Sequence, residues 1–334
     1  MPELAAVLAP IGTPLTASEL SGGTFSSVQA VGLEDGRTVV VKTSVPDSEE
    51  HGALLGYERD LARVERDMLA MLGDADAVPA PLLLMEDFSR SRVEVDVIVS
   101  ELLPGTPWDR AEGMAPAAEA TAGLEIGAIF SHLHQHTGRR FGYPAANFSL
   151  GGATWPAAFG AIVHSHLADA ERWHVDVRAA EIRAVLARGQ HALAAVTTPS
   201  LVHNDLWPGN VLLDPASGHV LGVVDWERAL YGDPLLDFVG MAAFSAGSLA
   251  SDHVEGYLAH GGTLPLDPNA GLATGLTAAA DHRIALYRLS LLTVMLIEVI
   301  PRGFHGDWLA DHLALTASTR DEVLEYALAT FPAA

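Results

Sequence analysis

The segment 201–227, LVHNDLWPGNVLLDPASGHVLGVVDWE, decides how this chain is read. It orders His203, Asp205, Asn210 and Asp225 as H-x-D-x-x-x-x-N, an apolar run (211–213), a turn (214–218), a second apolar run (220–224) and then an aspartate. Phosphoryl transfer calls for such a set. A carboxylate such as Asp205 can accept the proton of an attacking hydroxyl, while Asn210 and Asp225 can hold magnesium on a nucleotide's phosphates. Pro208 and Gly209 tighten the loop, so Asp205 and Asn210 can face one cleft. Without that chemistry the same residues are turn positions before a hairpin. Four polar residues at this spacing, with strands in the right places, favour phosphoryl transfer.

Upstream of this segment, residues 11–100 read as strands around one helix. The runs 26–31 and 37–43 are β-rich and flank a turn containing Glu34-Asp35-Gly36, a hairpin signal. Leu61, Val64, Met68, Leu69 and Leu72 form an apolar stripe at helical spacing, which predicts a helix over roughly 54–72. Two further strands are expected over about 82–86 and 93–100. Beyond Leu103-Pro104-Gly105 helices dominate, over 117–135, 179–195, 281–300 and 319–330, with a Gly/Pro/aromatic loop region at 137–160.

Lys42 is the only lysine among 19 cationic side chains, and it ends the apolar run Val39-Val40-Val41. An ammonium is a compact charge that fits between two phosphates better than a guanidinium fork. A buried lysine needs a carboxylate. Glu65 lies within the apolar stripe of the expected helix, where a surface helix would not put it, and is paired with Lys42; Glu58 is the second choice. Ser21 to Ser27, with paired glycines, can form a loop whose backbone N–H groups face an anion, which makes Ser27 a nucleotide contact. His132, His134 and His136 lack a carboxylate at ligand spacing, so a metal site there is not expected.

Composition narrows the partners. The 334 residues can bury about 75% of their unfolded surface, and a hydrophobic content of 49% with mean hydropathy +0.23 describes a globule. A net charge of −23 disfavours nucleic acid and anionic membrane. There is no cysteine, hence no disulfide or thiolate chemistry. The start of the chain makes a poor signal peptide. The run 289–300 contains Glu298 and is too short to cross a bilayer. A soluble, cytoplasmic protein is expected.

The stretches HNDLWPGNVLLD and VVDWERALYGDPLLDF resemble the aminoglycoside phosphotransferase/choline kinase-like superfamily, which also contains fructosamine and other sugar kinases. The resemblance extends over approximately residues 15–300. It implies an α+β, bilobal protein-kinase-like fold: a small β-rich lobe (1–100), a hinge (101–105) and a large, mainly helical lobe (106–334). It further implies Asp205 as catalytic base, Asn210 and Asp225 as magnesium ligands, Lys42 and Glu65 on the phosphates of ATP or GTP, and Glu101 and Leu103 as linker contacts to the base, with Ser100 behind it. His203 and Asp237 would support the catalytic loop. Asn204 departs from the family, which most often has glycine there, and Trp226-Glu227 replaces the Phe-Gly of the protein kinases.

Only residues 226–232 separate Asp225 from Asp233-Pro234, too short for a peptide platform, so a small hydroxyl compound rather than a protein is the expected acceptor. From His253 onward nine Asp/Glu face four arginines, which favours an amine-bearing acceptor such as an aminoglycoside if part of that acidity lines the pocket. Trp207, Glu227 and Glu298 are the candidate acceptor contacts. A metabolic sugar, fructosamine or choline-type kinase is the alternative, and a silent nucleotide-binding module a further one.

Overall fold

The computed structural model describes residues 2–20, 26–44, 54–73, 77–245, 249–267 and 275–332. A short helix, α1 (Pro2–Leu8), precedes the antiparallel strands β1 (Pro14–Glu19), β2 (Ser26–Leu33) and β3 (Thr38–Ser44). Helix α2 (Leu61–Leu72) then leads to β4 (Leu83–Asp87) and β5 (Asp96–Glu101), and the five strands pair in the order β1-β2-β3-β5-β4. Strand alternation divides the sheet's residues between two faces. Val31, Val39, Val41, Val97 and Val99 pack with Val7 and Leu8 of α1 in one core. On the other face Lys42 pairs with Ile98 and Val40 with Ser100, and Ile98 joins the second, larger core together with α2.

Helix α2 starts at Leu61, later than the roughly 54 expected, because its apolar stripe begins there and Asp60 just before it is left-handed (φ 50°). Residues 54–60 instead form a turn that buries Tyr57 and Glu58 against the other lobe. The loop expected at 137–160 is also corrected. Helix Trp155–Arg172 begins within it, with Pro156 in the first helical turn where its missing N–H costs nothing. The expected helix 179–195 is interrupted at Gly189.

The C-terminal lobe is mainly helical. Helix α3 (Pro116–Leu133) packs on the helix Ser251–Ala259, and Gly127 lets the backbones touch, since a Cβ there would collide with the His253 carbonyl. The almost fully buried helix Ala278–Ile297 runs through the lobe beneath Trp308–Thr330. Two small sheets carry the loops of interest. One pairs Thr106–Pro107, Val211–Leu213 and Val220–Val223; the other includes Ser200–Val202 and Leu230–Gly232. Among the described residues no helix is long and apolar enough to cross a membrane.

The lobes connect through the segment after β5. Gly105 sits at φ +117° with the Leu213 backbone where a Cβ would lie, so only glycine fits without strain.

Candidate active site

Lys42 lies at the meeting point of the two lobes. Its Nζ is 2.8 Å from Glu65 Oε2 on α2, 2.7 Å from Asp225 Oδ1 and 2.6 Å from Glu227 Oε2. Burial opposes the lysine's charge, yet Asp225, Glu227 and Glu65 hold its ammonium well above the ordinary range. Burial raises Glu65 to about 7, opposed by Lys42 and reinforced by Asp225 and Glu227. Burial would also raise Asp225, but Lys42 holds its carboxyl below the usual value. Three carboxylates around one ammonium leave an excess of negative charge, and the ligand atoms of Glu65, Asp225 and Glu227 lie within 4.8 Å of one another. Hard oxygen donors so arranged suit magnesium. Asn210 is buried nearby and donates Nδ2–H to the Asp205 carbonyl at 2.8 Å.

The catalytic-loop candidate 203–210 is held from beneath by Asp237, which is fully buried in the helix Leu235–Gly240. Its carboxylate accepts the N–H of Asn204 at 2.8 Å and of His203 at 3.1 Å, and lies 3.0 Å from His134 Nε2. His203 is 3.0 Å from the Val224 carbonyl through Nε2 and accepts the Asp205 N–H at Nδ1, 3.3 Å. Those partners assign the neutral Nε2–H tautomer, and burial lowers its pKa despite Asp237. Asn204 adopts φ 63°. A left-handed backbone favours glycine. Asparagine tolerates that region, and its Nδ2–H donates to Tyr143 Oη at 2.9 Å. Asp225 is left-handed too, at φ 68°.

The Asp205 side chain is 21% exposed. Burial raises its pKa to about 7; Arg228 opposes this, and Asp225, Glu298 and Glu227 add to it. Arg228 stands 3.5 Å from Asp205 Oδ1, 3.7 Å from Glu298 Oε2 and 3.8 Å from Glu58 Oε1. Arg302 closes the network at 2.6 Å from Glu58 and 3.1 Å from Glu298.

The remaining expected contacts fall in several places. Ser27 is exposed on β2, opposite Thr43, while residues 21–25 of the expected phosphate loop lie outside the described residues. Glu101 ends β5 opposite Val39, Leu103 packs against Gly222, and Ser100 is buried. Glu227, expected beside the acceptor, lies against Lys42 at 2.6 Å, where Glu65 and Asp225 also meet the ammonium. Glu298 is near Asp205 but engaged by two arginines. Trp207 is 45% exposed, and its indole folds back over Gly209. Glu58 pairs with Arg302 and the Leu55 N–H rather than with Lys42.

Sequence reasoning missed Arg228, Tyr57, Tyr143 and His166, which line one cavity with Asn204. Arg228 had a signal, since it directly follows Trp226-Glu227. The other three are distant in sequence and carry none.

A model of the phosphotransferase enzyme family matches residues 16–270. Several solved structures are similar over nearly their whole length. A thermostable mutant of aminoglycoside phosphotransferase APH(4)-Ia, in ternary complex with AMP-PNP and hygromycin B, aligns with TM-score 0.62 at 19% identity over 97% of this chain and 98% of that one. A provisionally named aminoglycoside phosphotransferase from Ralstonia eutropha gives 0.66 at 14% over 98% of both chains. A provisionally named fructosamine-3-kinase from Thermobifida fusca gives 0.63 at 19% over 98% and 99%. At such identities the likeness establishes the fold. No curated protein matches.

Proposed function

The chain belongs to the phosphotransferase enzyme family, and we propose that it moves the γ-phosphoryl group of ATP or GTP to a hydroxyl of a small molecule. The observation that carries this reading is one cleft holding both the largely buried carboxylate of Asp205, whose pKa burial raises, and a cluster of three carboxylates around a buried lysine. A base poised near neutrality is what proton abstraction from an alcohol requires.

In this reading Asp205 receives the proton of the acceptor hydroxyl. The acceptor oxygen forms a bond to the γ-phosphorus as the bond to the β–γ bridging oxygen breaks, and the nucleoside diphosphate leaves. Lys42, oriented by Glu65, binds the donor's phosphates. Asn210, Asp225 and Glu227 supply the oxygen donors that would hold magnesium, which when bound offsets phosphate charge. His203 and Asp237 keep the loop in register. Residues 1–100 form the nucleotide lobe, 101–105 the hinge with Glu101 and Leu103 at the base, and 106–334 the acceptor lobe. A supply of nucleotide donor implies a cytoplasmic setting.

Two acceptor classes stand within this reading. One is an amine-bearing compound, as in an aminoglycoside-modifying enzyme, for which the overall acidity of the chain speaks; the alternative is a metabolic kinase of sugars or related alcohols. A coupled phosphorylation screen over aminoglycosides, amino sugars, neutral sugars and choline, with ATP and GTP in parallel, tests the proposal. Turnover should depend on magnesium and vanish in Asp205→Ala while nucleotide binding persists. Retained turnover in that variant overturns the role of Asp205, and nucleotide binding without turnover of any acceptor favours a silent module.

A further inference from the structure

A partly open cavity of about 60 Å³ adjoins the catalytic-loop candidate, lined by Asn204 of that loop and by Arg228, Tyr57 and His166, with the Arg228 guanidinium over the Tyr57 ring. In a chain with 42 acidic residues, no carboxylate is among the described residues lining it, and its one charged side chain is the cation of Arg228. Glu58 and Glu298, two acidic residues that share Arg228 with Asp205, are compensated by Arg302 and Arg228.

Most polar atoms of the wall have partners. Tyr143 Oη accepts from Asn204, Trp155 Nε1 donates to Tyr287 Oη at 2.7 Å, and Tyr287 Oη donates to Asp233 at 2.7 Å. Ser290 Oγ and His166 Nδ1 bond each other at 3.1 Å. Two atoms do not: Tyr57 Oη and His166 Nε2 have no hydrogen-bond partner among the described residues. Their side chains are nonetheless 3% and 5% exposed, and their rings meet edge to face at 5.6 Å. Native interiors rarely leave such atoms unmatched. His166 stays neutral at physiological pH, burial having lowered its pKa to about 3.

We propose that this cavity is an acceptor subsite for an uncharged hydroxyl-bearing group, gripped by Tyr57 Oη and His166 Nε2, and that it selects neutral sugars or cyclitols over their ammonium-bearing counterparts. This rests on reading the chain as a kinase of small hydroxyl compounds. The volume corresponds to about two water molecules, enough for a hydroxymethyl arm or one edge of a ring. Tyr57 and His166 can each exchange a hydrogen bond with a hydroxyl, which both donates and accepts. An ammonium entering the cavity would lose its hydration, meet no carboxylate and face Arg228. Amine-bearing acceptors would therefore be disfavoured by the pocket, whatever the acidity of the outer surface.

The test compares kcat/KM at neutral pH for hexoses and cyclitols against their amino-deoxy counterparts and intact aminoglycosides, in the wild type, Tyr57→Phe, His166→Phe and His166→Gln. Neutral members should be preferred by at least tenfold. Tyr57→Phe should raise the KM of a neutral acceptor roughly five- to tenfold, the size of one hydrogen bond to an uncharged group, while KM for the nucleotide and the melting temperature stay unchanged. His166→Gln, which keeps a polar tip, should retain more acceptor affinity than His166→Phe. Preference for the ammonium-bearing members, or a Tyr57→Phe variant indistinguishable from wild type on its best neutral acceptor, overturns the subsite and leaves the kinase reading standing. No turnover of any pair, with nucleotide binding intact, overturns the kinase reading and the subsite with it.

Discussion

Asp237→Asn is a near-isosteric change that separates holding the catalytic loop from doing chemistry in it. In the native protein one carboxylate oxygen accepts the Asn204 N–H at 2.8 Å, and the other accepts the His203 N–H at 3.1 Å and lies 3.0 Å from His134 Nε2. An amide can keep its oxygen toward His203 and His134, but its NH2 then faces the Asn204 N–H, donor against donor. One charge-assisted hydrogen bond is lost and a donor is stranded in a site with no solvent, a cost of about 2–3 kcal/mol. The unfolding entropy of a 334-residue chain, at about 2.1 cal/mol/K per residue, is roughly 0.7 kcal/mol/K. The melting temperature should fall by about 3–4 °C, read by calorimetry. The activity loss should be larger in proportion. Asn204 is left-handed at φ 63°, a strained setting maintained by the bond that is broken, and a shift of about 1 Å in Asp205 is worth about a hundredfold in kcat. Nucleotide affinity, assigned to Lys42 in the proposed function, should change by less than about threefold. An Asp237→Asn enzyme with wild-type melting temperature and kcat would refute the idea that this carboxylate maintains the loop.

Two further outcomes follow from the same loop. Burial raises Asp205 to about 7, so kcat/KM for the acceptor should rise with pH through about 7. For stability the sign is opposite. The folded carboxyl holds its proton more tightly than the unfolded one, so stability falls as pH rises from about 3.8 to 7 and is flat above. Asp205→Asn should therefore melt higher than wild type at pH 8, by up to about 4 kcal/mol of linkage, and match it near pH 4; equal melting at both pH values would remove the raised pKa. At Asn204, replacement by glycine should be nearly neutral, because glycine accepts the left-handed backbone while losing the bond to Tyr143 Oη. Asn204→Ala should cost about 1–2 kcal/mol, and denaturant midpoints for the two variants should differ accordingly.

What could be read from the chain was what is local or periodic. The bilobal α+β architecture followed from β-rich runs giving way to helices after Leu103-Pro104-Gly105. The proximity of Lys42 and Glu65 followed from two local arguments: a cation at the end of an apolar strand, and a carboxylate on the apolar face of a helix. Each used one period, and together they named two sides of one gap. Elements escaped where a local signal was ambiguous. Trp155–Arg172 begins amid glycines and a proline that read as loop, although Pro156 in the first turn is a start signal as much as a breaker. Residues 54–60 looked like helix because the apolar stripe after them is strong, yet they end at the left-handed Asp60. The pocket beside Asn204 was illegible for a different reason. Tyr57, Tyr143, His166 and Ser290 come from four separate stretches, and only tertiary packing brings them together.

The distribution of charge shows how little a net charge says about any one site. The net charge of −23 counts carboxylates without their partners, and near Asp205 the partners are abundant. Lys42 is surrounded by Glu65, Asp225 and Glu227, which leaves negative charge in excess there. A few residues away Arg228 and Arg302 face Glu58, Glu298 and Asp205. Arginine suits that second position, since one guanidinium fork can address several carboxylates, whereas the compact ammonium suits the first. The excess negative charge thus gathers around Lys42, and the cavity beside Asn204 has Arg228 as the one charged side chain among its described lining residues. An acceptor pocket built this way would read shape and hydroxyl hydrogen bonds rather than cationic charge, and the preference between neutral and ammonium-bearing acceptors measures that difference directly.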